Sequence, residues 1–123
     1  MGDVKYVLMF VDSEEYEKEL AAMTGDERAE AVRQVEKWFA DHAGKVRMGG
    51  KLQPAHTATT VRLPRGGGEP VITDGPFVEG KEVVSGFCEI DVEDLDEALR
   101  MVRSWPACPT VEIRPVETMP AGR

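Results

Sequence analysis

Val4-Lys5-Tyr6-Val7-Leu8-Met9-Phe10-Val11 carries a single charge and places apolar side chains at both odd and even positions. A strand with one wet face alternates apolar with polar residues, so this run reads as a central strand covered on both sides. Downstream, Thr24-Gly25-Asp26-Glu27 has the capping-box pattern that opens a helix. Ala29, Val32, Val35, Phe39 and Ala43 then recur at spacings of three and four, predicting a helix to His42 with one core stripe and Gly44 as its stop. Between strand and helix, Asp12 to Glu19 is a strongly acidic surface segment, read as a loop or a short helical turn.

Lys45 to Leu52 predicts a short strand broken at Gly49-Gly50. Thr57 to Leu63 alternates, and the turn Arg65-Gly66-Gly67-Gly68-Glu69-Pro70 joins it to Val71-Ile72-Thr73 as a hairpin. Val83 to Val92 is a longer strand with Val84, Cys88, Ile90 and Val92 on one face. Asp94 caps a second helix with a stripe of Leu95, Ala98, Leu99, Val102 and Trp105, ended by Pro106. Val111 to Val116 is the last strand, with Pro115 placing its end at a sheet edge.

The order predicts an α+β fold: a ferredoxin-like βαββαβ sheet with an extra hairpin and both helices on one face. A single domain over 1–123 is expected, its core over 4–117 and its tail, 118–123, frayed. One helix layer leaves the second sheet face bare, and the two-sided apolar character of Val4–Val11 points to a homodimer that covers it.

With 23 acids against 15 bases the net charge is −8, which opposes approach to phosphate and disfavours nucleic acid as a partner. No stretch approaches the roughly 20 apolar residues of a membrane helix. Met1-Gly2-Asp3 opens neither a basic run nor an apolar signal core, so a cytoplasmic protein is expected. Cys88 and Cys108 lack partners at metal-ligand spacing and read as thiols, buried or idle; no metal site and no cofactor is expected.

Charge is unevenly spread. Residues 45–65 hold five bases (Lys45, Arg47, Lys51, Arg62, Arg65) and no acid, whereas 89–97 hold six acids and no base. Either the first block is a patch for an anionic ligand, or both are solvated strand ends. With Val32 at the centre of the first helix's stripe, a turn of 100° per residue puts Arg28 and Glu36 within about 40° of it. They either line a ligand cleft between helix and sheet or snorkel as a helix-edge pair. His42 in the last turn reads as a helix-dipole cap. His56, just before the alternating strand, is the better general-base candidate. Asp74-Gly75-Pro76-Phe77 is a tight turn whose Phe77 anchors a loop on apolar surface, and it is also a candidate acid/base loop with Glu79, Lys81 and Glu82 behind Asp74.

Asp74-Gly75-Pro76-Phe77, then Glu79, Lys81-Glu82 and Gly86-Phe87, resembles the signature of the DGPF-domain branch of the YCII-related proteins. Lys5–Met9, Gly50–Pro54, Asp94–Ala98 and Val111–Pro115 extend the resemblance over nearly the whole chain, Lys5 to Val116. It implies a dimeric α+β barrel, two ferredoxin-like sheets packed face to face, without a settled activity. YCII relatives are described as using a His on the first helix and an Asp after the second. This chain has no His before His42 in that helix, and Trp105-Pro106-Ala107 stands where an Asp-Pro pair would be.

Three functional readings follow. The protein binds a small, possibly anionic, molecule in a cleft lined by Arg28, Glu36, Arg62 and Phe77. Alternatively it is a cofactor-free enzyme in which Asp74, helped by His56, moves protons while Arg28 or Arg62 holds the substrate. In the third reading it is a structural or regulatory interaction domain, with Arg28 and Glu36 paired to each other.

Overall fold

The computed structural model describes residues 4–78 and 80–118, so Glu79 of the candidate loop and most of the tail expected to fray lie outside the described residues. In chain order the elements are β1 (Val4–Ser13), α1 (Glu14–Ala22), α2 (Gly25–Asp41), β2 (Val46–Lys51), a 3-10 turn (Ala55–Thr57), β3 (Thr59–Arg62), β4 (Val71–Asp74), β5 (Glu82–Val92), α3 (Leu95–Arg103) and β6 (Thr110–Pro115). Four strands form one antiparallel sheet in the order β2-β5-β1-β6, the order of a ferredoxin-like α+β fold. The hairpin β3–β4 stands as a separate two-stranded sheet.

The central position of β1 agrees with its sequence. Tyr6, Leu8 and Phe10 point inward with Cys88, Ile90 and Val92 of β5, and Trp38 of α2 with Ala98 and Met101 of α3 closes the core. Only one face is covered in this way: Val7, Met9 and Val11 on the other are half-buried. Strand β6 is an edge strand, which accommodates Pro115.

The helix expected from Thr24 has its reciprocal cap, with Thr24 Oγ1 accepting from the Glu27 amide and Glu27 Oε1 from the Thr24 amide. Its buried stripe differs from the expected one. Trp38 is buried and Ala31, Val35 and Phe39 are half-buried, whereas Val32 is 52% exposed and Ala29 and Ala43 face solvent. The decisive interaction is tertiary: the Trp38 indole N–H donates to Met101 O at 2.9 Å, turning the helix toward α3. The helix ends at Asp41, where His42 Nδ1 donates to Trp38 O at 2.8 Å, and Gly44 adopts no positive φ. In α3 it is Met101 that is buried, and Leu95 and Leu99 are exposed.

Two further elements differ from expectation. The acidic segment is a nine-residue helix, α1, capped by Ser13 Oγ accepting from the Tyr16 amide, with Glu14, Glu15 and Glu17 facing the positive end of its dipole. Strand β2 runs unbroken through its glycines because a side chain at Gly49 would sit 2.6 Å from Phe87 O and 2.7 Å from Cys88 Cβ. Gly49 permits close pairing with β5 and does not break the strand.

Candidate functional site

Two adjoining cavities lie where α1, the start of α2, the end of β2 and the base of the hairpin meet β5. The first, about 440 Å³, is lined by His56, Asp74, Gly75 and Pro76, with Ala55 and Val83 behind them. The second, about 510 Å³, shares Ala55 and Val83 and adds Asp12, Glu17, Arg28, Lys51 and Ser85.

Local structure sets each group. His56 rides on the 3-10 turn, held where the Thr57 amide (2.9 Å) and Thr57 Oγ1 (2.7 Å) both donate to Pro54 O. Asp74 ends β4, and Gly75 reverses the chain at φ +102°, a conformation that favours glycine. The Gly75 amide donates to Ala58 O and its carbonyl accepts from Thr60 Oγ1, both at 2.7 Å. The hairpin base thereby fixes Asp74 and His56 on one cavity, both exposed to solvent.

Arg28 sits near the start of α2, and its Nη2 donates to Leu20 O at 2.7 Å, satisfying a carbonyl at the C-terminal end of α1. This places it in the second cavity, where residues of α1 and of strands β1, β2 and β5 form much of the rest of the wall. Glu36 is exposed on α2 and lines neither cavity, because rotation of the stripe to Trp38 carries it away. Arg28 and Glu36 therefore form no pair. Phe77 is 71% exposed and does not anchor the loop on apolar surface; the Arg62 guanidinium carbon lies 5.4 Å from its ring centroid, a cation–π contact, and neither residue lines either cavity.

The basic and acidic blocks do meet. Lys45 Nζ lies 3.1 Å from Glu97 and Arg47 Nε 2.6 Å from Asp91, so the first two bases are neutralised within the chain. Glu97, accepting from the Glu93 amide and from Lys45, and Asp91, bonded to Arg47, are both held below the ordinary carboxylate range. By contrast, among the described residues no carboxylate lies within 4.0 Å of Arg28, Lys51, Arg62 or Arg65.

Sequence reasoning missed Ser85 and the joint placement of Asp12, Glu17 and Lys51. Strands β1 and β5 pair Phe10 with Gly86 and Val11 with Val84, leaving Ser85 as the extra residue of a bulge. Its Oγ donates to Asp12 Oδ1 at 2.8 Å, at the cavity wall. No local pattern announces such a bulge.

Both thiols are free and buried, and burial raises that of Cys108 and pushes that of Cys88 up to about 11. Among the described residues no helix is long and apolar enough to cross a membrane. Nor, among them, does any group of three or more His, Cys, Asp or Glu side chains form an arrangement that could hold a metal ion.

The family model of the YCII-related domain matches residues 4–120: the chain belongs to the YCII-related family. It is also similar to an uncharacterized protein of Rhizobium meliloti (strain 1021), 38% identical over 84 residues. That match covers 65% of this chain and 66% of the relative, just short of two thirds of its length.

Proposed function

We propose that this protein is a cytoplasmic homodimer of the DGPF branch, a dimeric α+β barrel that binds a small organic anion in the cleft formed by the two cavities. The observation that carries the ligand reading is electrostatic. In a chain of net charge −8, Arg28 and Lys51 line the cleft with no carboxylate within 4.0 Å among the described residues. An ionised ligand supplies the missing partner through charge-assisted hydrogen bonds. The dimer is supported by the outer sheet face, where half-buried Val7, Met9 and Val11 lie beyond the single helix layer.

A second reading is favoured by one observation: Asp74 and His56 line the same cavity, next to the cations. There Asp74 takes a proton from the bound molecule and His56 returns one at another position, a division of labour suited to isomerisation of a small substrate. The interaction-domain reading predicts a dry apolar cleft with Arg28 paired to Glu36, and those two residues form no ion pair with each other.

A thermal-shift screen against organic carboxylates and phenols tests the ligand reading. A ligand at 100 times its Kd adds about 2.7 kcal/mol to stability. We expect a carboxylate hit that Lys51→Met weakens; hits indifferent to Lys51, or none among the carboxylates, reject the anion cleft. With a hit in hand, Asp74→Asn should abolish turnover and leave unfolding unchanged, and full turnover in that variant removes the enzymatic reading. Sedimentation equilibrium tests the dimer, and a mass of one chain refutes it.

A further inference from the structure

The second cavity carries more than cations. Asp12 and Glu17 line it beside Arg28 and Lys51, two acids and two bases in one cavity of a strongly acidic chain. Yet none of the four is in an ion pair with any described residue, although seven other pairs form across the molecule. Opposite charges that share a cavity and stay more than 4.0 Å apart leave room for a ligand that bridges them.

Local structure sets where the four groups sit. Arg28 is held toward α1 by its bond to Leu20 O. Asp12 is held toward β5 by Ser85, the extra residue of the bulge, whose Oγ bonds one carboxylate oxygen and leaves the other to accept from a ligand. Glu17 lies on α1, whereas Lys51 ends β2. Leu20, Leu52 and Val84 supply apolar wall between them. At about 510 Å³ the cavity is within the roughly 300–1,000 Å³ of small-molecule sites.

We propose that this cavity binds a zwitterion, a free amino acid with an apolar side chain. Its carboxylate meets Arg28 and Lys51, its ammonium meets Asp12 and Glu17, and its side chain lies on Leu20, Leu52 and Val84. The inference rests on the reading of the cleft as a small-anion site and narrows the ligand to one that also carries a cation.

The test is isothermal titration calorimetry of the full chain with three matched probes. L-leucine carries both charges, 4-methylpentanoate only the carboxylate, and 3-methylbutylamine only the ammonium. Leucine should bind, and each analogue should bind roughly tenfold to a hundredfold more weakly, the loss of one charge-assisted contact. The exposed variants Glu17→Gln and Lys51→Met separate the two ends. Glu17→Gln should weaken leucine and leave 4-methylpentanoate unchanged, whereas Lys51→Met should weaken both. If 4-methylpentanoate binds as tightly as leucine, the zwitterion is refuted and the anion cleft stands. If leucine does not bind, or binds equally well to Glu17→Gln, the inference fails.

Discussion

The four-stranded sheet and the β3–β4 hairpin are both antiparallel and both rich in β-branched residues, but they differ in what covers them. In the sheet, Leu8, Cys88, Ile90 and Val92 are fully buried under α2 and α3. In the hairpin, Val61, Val71 and Ile72 are all more than half exposed. A two-stranded hairpin alone is marginal in water. The sheet is thus the stable frame, and the hairpin is a lightly held arm that carries Asp74 to the cleft. Placing Asp74 on the weakly held element separates the demands of folding from those of the site.

The comparison breaks first under paired truncations. Ile90→Ala should cost about 2–5 kcal/mol in urea unfolding, as deletion of a fully buried side chain does. Ile72→Ala should stay within about 0.5 kcal/mol, as an exposed position does. A cost at Ile72 that grows with protein concentration would show that a second copy covers the hairpin. Next comes Gly49→Ala, whose methyl would meet the Phe87 carbonyl and Cys88; about 1–3 kcal/mol of overpacking is expected in the same assay. Limited trypsin digestion probes the arm directly. The first cut is expected at Arg62 or Arg65, before any cut in β1 or β5, and initial cleavage at Lys5 would invert the ranking of the two regions.

The smallest effect concerns the ion pairs that brace the frame. Glu97 is held low by its bond from the Glu93 amide and by Lys45, so its folded pKa is below its unfolded one. Its stabilising effect is present above the unfolded value, near 4.3, and is lost as pH falls through the lower folded value. Glu97→Gln should therefore lower the melting temperature slightly at pH 7, and the two curves should converge as the pH falls through the lowered folded value. A difference that persists in acid would assign the effect to packing.

The sequence made the frame legible wherever a local signal had a local cause. The Thr24–Glu27 box, the Asp94 cap and the alternation along β5 each depend on neighbours within a few residues. The α2 stripe was not legible. Positions 29-32-35-39-43 and 31-35-38-42 both satisfy helical spacing, and what selects the second is the bond from Trp38 to Met101, 63 residues away. Helix α1 was hidden because it buries no residue and only half-buries Tyr16 and Leu20 among many acids. The site inherited both gaps. Asp74 and His56 could be nominated from residue type and turn chemistry, but the company Arg28 keeps depends on α1. Glu36 was nominated only because the stripe was centred on Val32.

Aromatic packing gives the frame a built-in optical signature. The indole of Trp105 stacks on Phe10 with centroids 4.2 Å apart and meets the ring of Trp38 edge-on at 5.1 Å. These are the two tryptophans of the chain, and neither lines either of the two cavities described above. Intrinsic emission and near-ultraviolet dichroism therefore report the seating of the helices on the sheet. They are blind to the arm, so loosening of the hairpin or filling of the cleft would pass unseen, and a fluorophore placed on the hairpin turn would be needed to watch either.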